Sequence, residues 1–338
     1  SLSYFMKLPP IYRLLFNTLF VIGSIAFINT SQAQEFPSKS VTLVSPYAAG
    51  GIAEAIAKLV SNPLKANLKQ AVAIENLGGD GGTTALLKIL NAPANGYLVL
   101  QGTPSELILA PSISETPSFK SEDFRMVQFI ADMPMVIVAR KDLDANDADE
   151  LTLLARRAVA RGKPLVYASL GEGTFNHFLG SYISKKINAH MLHAPYASAP
   201  EIMKGLLSEQ VDIVIAPYTA DQIALHNSGK IKFLSVLAAN RQPVIPDVSS
   251  VDEGFALRGC YQSLWTGYLV KKGTPETFVQ VLHKALSDTL NDPQMISKLL
   301  SQGAIISPSL SLDDANKKYA AEIVKFRAMV KSMSPEPQ

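Results

Sequence analysis

The chain has 338 residues, 47% of them hydrophobic, with 31 basic and 29 acidic side chains. That length and apolar content exclude a disordered chain or a fibrous repeat and favour about two globular domains. A near-neutral balance without a basic face rich in aromatics argues against a nucleic-acid partner, and the single cysteine, Cys260, excludes an internal disulfide and a Cys-based zinc cluster.

In chain order, Lys7 and Arg13 precede an apolar run, Leu14 to Ile28, that ends in small and polar residues, "NTSQAQ". This is the pattern of a secretory signal peptide over residues 1–33, with cleavage near Ala33, and it predicts a periplasmic protein. A membrane anchor is the competing reading, but a spanning helix needs about 20 apolar residues. Removing residues 1–33 leaves 29 charges of each sign.

The rest alternates short apolar strands with amphipathic helices, which predicts parallel sheets covered on both faces. Strands are expected at Val41 to Val44, Ala71 to Glu75, Tyr97 to Gln101, Met135 to Ala139, Leu165 to Ala168, Val211 to Ala216 and Ile231 to Ala238. Thr274 before Pro275 and Asp292 before Pro293 are expected helix N-caps, and Glu54 with Lys58 forms a favourable pair one turn apart. Proline and charge clusters at Lys141 to Glu150 and Arg241 to Gly254 mark surface crossings. They divide the mature chain into a discontinuous first domain, 34–138 with 240–338, and a second domain, 139–239.

Four strand-to-helix junctions are rich in glycine or hydroxyls: "SPYAAGGIAEAI", "ENLGGDGGTTAL", "QGTPSELIL" and "ASLGEGTFNHFLG". In an open α/β sheet such loops line the crevice at the carboxyl ends of the strands, and glycines at a helix start expose N–H groups that suit an anion. Gly171, Gly173 and Asn176 miss the third glycine of the dinucleotide fingerprint, and no stretch has the P-loop lysine. The loops carry hydroxyls and acids instead, among them Ser45, Glu54, Asp80, Thr103, Ser105, Ser169, Glu172, Thr174 and Ser198, each equally readable as a cap or turn residue. No HExxH, GxSxG elbow or paired His spacing occurs, so no enzyme site, metal or cofactor is predicted. His177 reads as a capping or surface residue, and Trp265 either lines a pocket or packs in the core.

Taken together, "FPSKSVTLVSPYAAGG", "IENLGGDGG", "NGYLVLQGTPS", "YASLGEGTFNHFLG", "HAPYASAPEIMKGLLSEQVDIVI" and "LWTGYLVKKGTP" resemble, in order and spacing, the extracytoplasmic solute receptors of tripartite tricarboxylate transporters, the Bug receptors. The resemblance runs from about Phe36 to the C-terminus. It implies a type II periplasmic-binding-protein fold, with two α/β domains joined by crossing strands and closing on a small organic acid. It also implies a monomer that delivers this ligand to membrane carrier subunits, or alternatively hands its closed form to a signalling receptor. Carried over position by position, the resemblance places Tyr47, Ala48, Gly50 and Gly51 at the ligand, with Gly78, Gly79, Asp80, Gly81 and Gly82. From the next loops come Thr103, Pro104, Ser105, Ser169, Gly171, Gly173, Thr174, His177, Ser198 and Ala199. The chain departs from the family pattern at Ala49, Glu54, Asp80, Ala197, Ser198 and Ala216. These changes remove a lysine and add acid, so the expected ligand carries one or two carboxylates, with a cationic or amide group facing Asp80, Glu172 or Glu54.

Overall fold

The architecture was read from a computed structural model, which describes residues 35–301 and 303–333. The expected signal peptide lies outside the described residues. Among those residues, no helix is long and apolar enough to cross a membrane.

Strand β1 (Val41–Ser45) lies between two parallel neighbours, β2 (Val72–Asn76) and β3 (Leu98–Gly102), with Thr42 opposite both Ala73 and Leu98. Helix α1 (Ile52–Leu68) joins β1 to β2, and a short 3₁₀ turn (Asp80–Gly82) leads from β2 into α2 (Thr83–Asn91). After β3 the chain makes a π-type turn, Ser105–Leu109, and runs on into α3 (Ala110–Ile113). Val41, Leu43 and Val44 are fully buried, as expected for a strand covered on both faces.

Strand β4 (Phe124–Arg140) connects the two halves of the molecule. Its 17 residues serve two sheets in succession. Residues up to Pro134 pair antiparallel with β10 (Ser263–Lys271), which also pairs antiparallel with β3. From Met135 on, the same strand pairs antiparallel with β7 (Ile213–Pro217) and β8 (Ile231–Val236). Beyond β7 lie β5 (Val166–Ser169) and β6 (Leu192–Pro195), both parallel, and β9 (Ser249–Ser250) extends β8. Two parallel blocks are therefore joined through antiparallel crossing strands. This corrects the all-parallel expectation, because a chain passing from one sheet to the other and back must reverse direction. The exchange is tied together at one point, where Leu237 N donates to Met135 O (2.8 Å), Met135 N to Gln262 O (2.9 Å) and Gln262 N to Leu237 O (2.9 Å).

The second block carries α4 (Ala148–Ala160), α5 (Phe175–Lys186), α6 (Ala199–Leu207) and α7 (Ala220–Asn227). The C-terminal part adds α8 (Glu276–Thr289), α9 (Pro293–Ser301), the short β11 (Ile305–Ile306) against β4, and α10 (Leu312–Met333). Helix α10 reaches both halves. Tyr319 Oη donates to Ser121 O (2.9 Å), while Phe326 packs on Phe175 of α5 with ring centroids 5.7 Å apart. Trp265 is core, not pocket wall: it is 1% exposed, edge-on to Phe129 and Tyr319, with Nε1 donating to Glu322 Oε2 (2.9 Å). Asp292 caps α9 through Met295 N (2.8 Å). Thr274 does not cap α8, since its hydroxyl donates to Lys271 O (2.7 Å) and Pro275 takes the capping position.

Candidate ligand-binding cleft

The carboxyl ends of β1, β2 and β3 bring three loops to one side of a cleft, and those of β5 and β7 bring two more to the other. Between them lie two adjoining hollows. The larger, about 850 Å³, is walled by the Gly-rich loops: Tyr47, Ala48, Gly78, Gly79, Gly81, Gly82 and Ser105 from the first sheet, and Gly173 and Thr174 from the second. The smaller, about 450 Å³, includes Gly51, Thr103 and Ala199 but is built mainly from Ile52, Ile56, Met133, Ile202, Met203 and Val214. Tyr47, Leu170, Asn176, Pro217 and Leu264 wall both, so the two spaces adjoin.

On the first-sheet side the helix starts are bare. Helix α1 follows Gly51, the Asp80–Gly82 turn follows Gly79, α2 follows Gly82, and none has a side-chain cap. The first N–H groups of a helix lack partners within it, so the α1 start at Gly51 and Ile52 presents donors to the smaller hollow, whereas Gly82 N and Thr83 N are already bonded to Gly79 O and Asp80 O. Gly78 and Gly82 let the loops meet: a Cβ on Gly78 would stand 2.9 Å from Ala48 N, and one on Gly82 would stand 2.8 Å from Glu106 Cβ. Glu54 is turned to its own helix start. Its carboxylate accepts from Gly50 N (2.6 Å) and Asn76 Nδ2 (3.3 Å) and pairs with Lys58 (3.0 Å). The bond from Gly50, with help from Lys58, holds its pKa below the usual carboxylate range.

Beneath Gly82 lies Glu106, 2% exposed. Its carboxylate accepts from Tyr47 Oη (2.6 Å), Thr103 Oγ1 (2.8 Å) and Thr103 N. Burial pushes its pKa up against those bonds, and burial together with the Glu106 charge pushes the Tyr47 phenol well up. Neither residue needs a further partner to hold its place. They fix the floor of the larger hollow and the wall common to both.

The second-sheet loops satisfy themselves. Thr174 caps α5 through His177 N, Ser198 caps α6 through Glu201 N, and Thr219 caps α7 through Gln222 N. Ser169 Oγ accepts from Gly171 N (3.0 Å) and meets His193 Nε2 at 2.6 Å. The His177 ring stacks on His193 at 4.1 Å and accepts from Gly173 N through Nδ1 (3.1 Å), and burial and His193 lower its pKa. Thus Gly50, Asp80, Pro104, Ser169, Gly171, His177 and Ser198 stand outside the walls of both hollows, although each belongs to a loop that reaches them.

Sequence reasoning did not single out Glu106, Asn76, Asn176 or the Pro217–Thr219 loop. Glu106 had a readable signal, since Thr103-x-x-Glu106 before "LIL" is a capping-box spacing, and Thr219-x-x-Gln222 repeats it. Among the described residues no group of acids, histidines and cysteines could hold a metal.

Residues 56–334 match the family model described as the tripartite tricarboxylate transporter family receptor. The chain belongs to this receptor family. The receptor is 28% identical over 306 residues to the "UPF0065 protein in the TAR-I ttuE-ttuC' intergenic region" of Agrobacterium vitis, covering 89% of this chain and 86% of that one. Among solved structures it is similar to the periplasmic binding protein BugD, at 26% identity and TM-score 0.70 over 88% of this chain and 98% of BugD. It is also similar to MatC from Rhodopseudomonas palustris with bound malate, at 25% identity and TM-score 0.72 over 87% of this chain and all of that one (100%). The type II binding-protein fold expected from the sequence is thereby established.

Proposed function

We propose that this receptor works in the periplasm, where it captures a small organic acid in the cleft and delivers it to the membrane carrier of a tripartite transporter. The observation that carries this reading is the Gly-rich wall of the larger hollow, with the uncapped start of α1 on the adjoining smaller one, in a chain of this family. Backbone donors of the Gly78–Gly81 loop and of the α1 start suit a carboxylate without an arginine. The similarity to a malate-bound protein supports a carboxylate ligand. The ligand residues proposed from the sequence that wall the hollows (Tyr47, Ala48, Gly51, Gly78, Gly79, Gly81, Gly82, Thr103, Ser105, Gly173, Thr174 and Ala199) are its contact set, joined by Asn76 and Asn176. Segments 34–138 with 240–338 and segment 139–239 close on it about the Met135, Leu237 and Gln262 crossing. On this reading the receptor does no chemistry and the ligand leaves as it arrived.

Thermal unfolding of the purified protein with mono-, di- and tricarboxylates, amino acids and their amides tests this. A ligand at about 100 times its Kd adds roughly 2.7 kcal/mol to stability. Acids that raise the midpoint and are recovered unchanged are the expected result. Silence across all acids, or turnover of a bound one, would overturn it.

A further inference from the structure

We propose that the ligand of this receptor is a monocarboxylate with a substantial apolar body, whose carboxylate sits in the Gly-rich hollow and whose hydrocarbon fills the adjoining apolar one. The inference rests on the solute-receptor reading above and narrows its substrate class. Lysine, arginine and histidine are absent from the described walls of both hollows, and the charged side chains there, Glu106 and Glu172, are acidic. Each further carboxylate would add a charge with no counter-charge in either hollow, and one placed in the smaller hollow would be desolvated against an apolar lining. The smaller hollow carries no charged side chain at all. Its long walls are Ile52, Ile56, Met133, Ile202, Met203 and Val214, and at about 450 Å³ it has the size and lining of an apolar ligand site. Ile52 and Leu170 are exposed apolar side chains, 52% and 43%, on opposite sides of this space, and a bound hydrocarbon would cover both. Tyr47 and Leu170 wall both hollows, so the two adjoin and the proposed ligand would pass between these side chains. Ala216, where an acid would repel such a body, leaves the wall uncharged.

The test is a ligand series on the purified protein, read by calorimetry: acetate, butanoate, hexanoate, benzoate, phenylacetate, succinate, malate, citrate and hexanol. Each methylene seated in the apolar hollow is expected to tighten binding about fourfold, so hexanoate should exceed acetate by roughly two hundredfold. Hexanol should bind far more weakly than hexanoate, and citrate not at all. Placing a charge in the apolar wall by Ala216→Asp should flatten the series, with melting of the unliganded variant as the folding control. If that variant does not fold, the series on the natural chain decides. The proposal is overturned if succinate or malate binds more tightly than the monocarboxylates, in which case the solute-receptor reading stands. It is also overturned if hexanol matches hexanoate, or if the series stays equally steep in a folded Ala216→Asp protein. Failure of every acid removes the receptor reading and this proposal with it.

Discussion

Two neighbouring glycines in one loop separate backbone strain from crowding. Gly81 (φ +60°) and Gly82 (φ +94°) both occupy the left-handed region, where an alanine is strained by about 1 to 2 kcal/mol. Restricting the unfolded chain returns about 0.4 to 1 kcal/mol of that. For Gly81→Ala the account ends there, since a Cβ would meet nothing within 4 Å, and the net cost is about 1 kcal/mol. For Gly82→Ala a Cβ would lie 2.8 Å from Glu106 Cβ and 3.1 Å from Pro46 Cβ. Overpacking adds about 1 to 3 kcal/mol, giving about 3 kcal/mol in all. Because the clash pushes on Glu106, which holds Tyr47 Oη at 2.6 Å, ligand affinity should fall as well. Urea unfolding of both variants, with calorimetry of the best acid, checks this. Equal destabilisation by the two alanines, or full affinity in Gly82→Ala, would refute the close packing of that loop on Glu106.

Burial raises the pKa of Glu106, so the folded protein keeps its proton to a higher pH than the unfolded chain does. The contribution of Glu106 to stability is then fully present below the ordinary glutamate pKa and is lost as pH rises through the raised one. Stability of the natural chain relative to Glu106→Gln should accordingly fall with rising pH across that window, and urea unfolding between pH 4 and 8 reads the slope. A slope of opposite sign would mean that the bonds from Tyr47 and Thr103 outweigh burial. Asp292→Ala should cost about 1 kcal/mol by removing the cap on Met295 N, with Lys298 near the other end of α9 unaffected. The corresponding Thr274→Ala should leave the helix start of α8 intact, a difference that amide exchange at the two helix starts would report. Glu54→Gln should tighten anion binding severalfold by removing a negative charge beside Gly50 N, while weakening the pair with Lys58. A calorimetric titration in which the variant binds its acid more weakly would show that Glu54 supports the site.

Strands β1, β2, β3, β5, β7 and β8 were legible as short apolar runs, and their ends agree with the structure to within a residue or two, whereas the parallel β6 (Leu192–Pro195) and β9 (Ser249–Ser250) were not expected, being short and poor in β-branched apolar residues. The first half of β4 was not, because Gln128, Asp132 and Pro134 interrupt its apolar run. Tertiary partners remove the objection. Gln128 is buried with Nε2 donating to Ser287 Oγ (2.8 Å) and Leu310 O (2.9 Å), and Pro134 lies where the ladder passes from β10 to β7. The Gly-rich wall of the cleft was readable from local motifs. The apolar wall was not, since Ile56, Ile202 and Val214 look in sequence like ordinary core positions of helices and a strand. Glu106 was not singled out, although Thr103-x-x-Glu106 has a capping-box spacing, because its bond to Tyr47, 59 positions away, leaves no local trace.

The two sides of the cleft divide the work of recognition in a way that decides which substitutions can retune it. On the second-sheet side, Thr174, Ser198 and Thr219 commit their oxygens to their own helices. Changing them acts first on stability, at about 1 kcal/mol each; Ser198, outside both hollows, reaches a ligand only through loop position, while Thr174 and Thr219 also stand in the walls. On the first-sheet side the donors are backbone N–H groups, which no side-chain substitution removes and which recognise any carboxylate alike. If the proposed carboxylate is held there, selectivity among acids must arise elsewhere in the cleft, and the side chains placed to supply it are the apolar walls around Met203 and Val214. On the proposed binding mode, single apolar-to-polar changes in the smaller hollow would shift preference from one acid to the next while the grip on the carboxylate is kept.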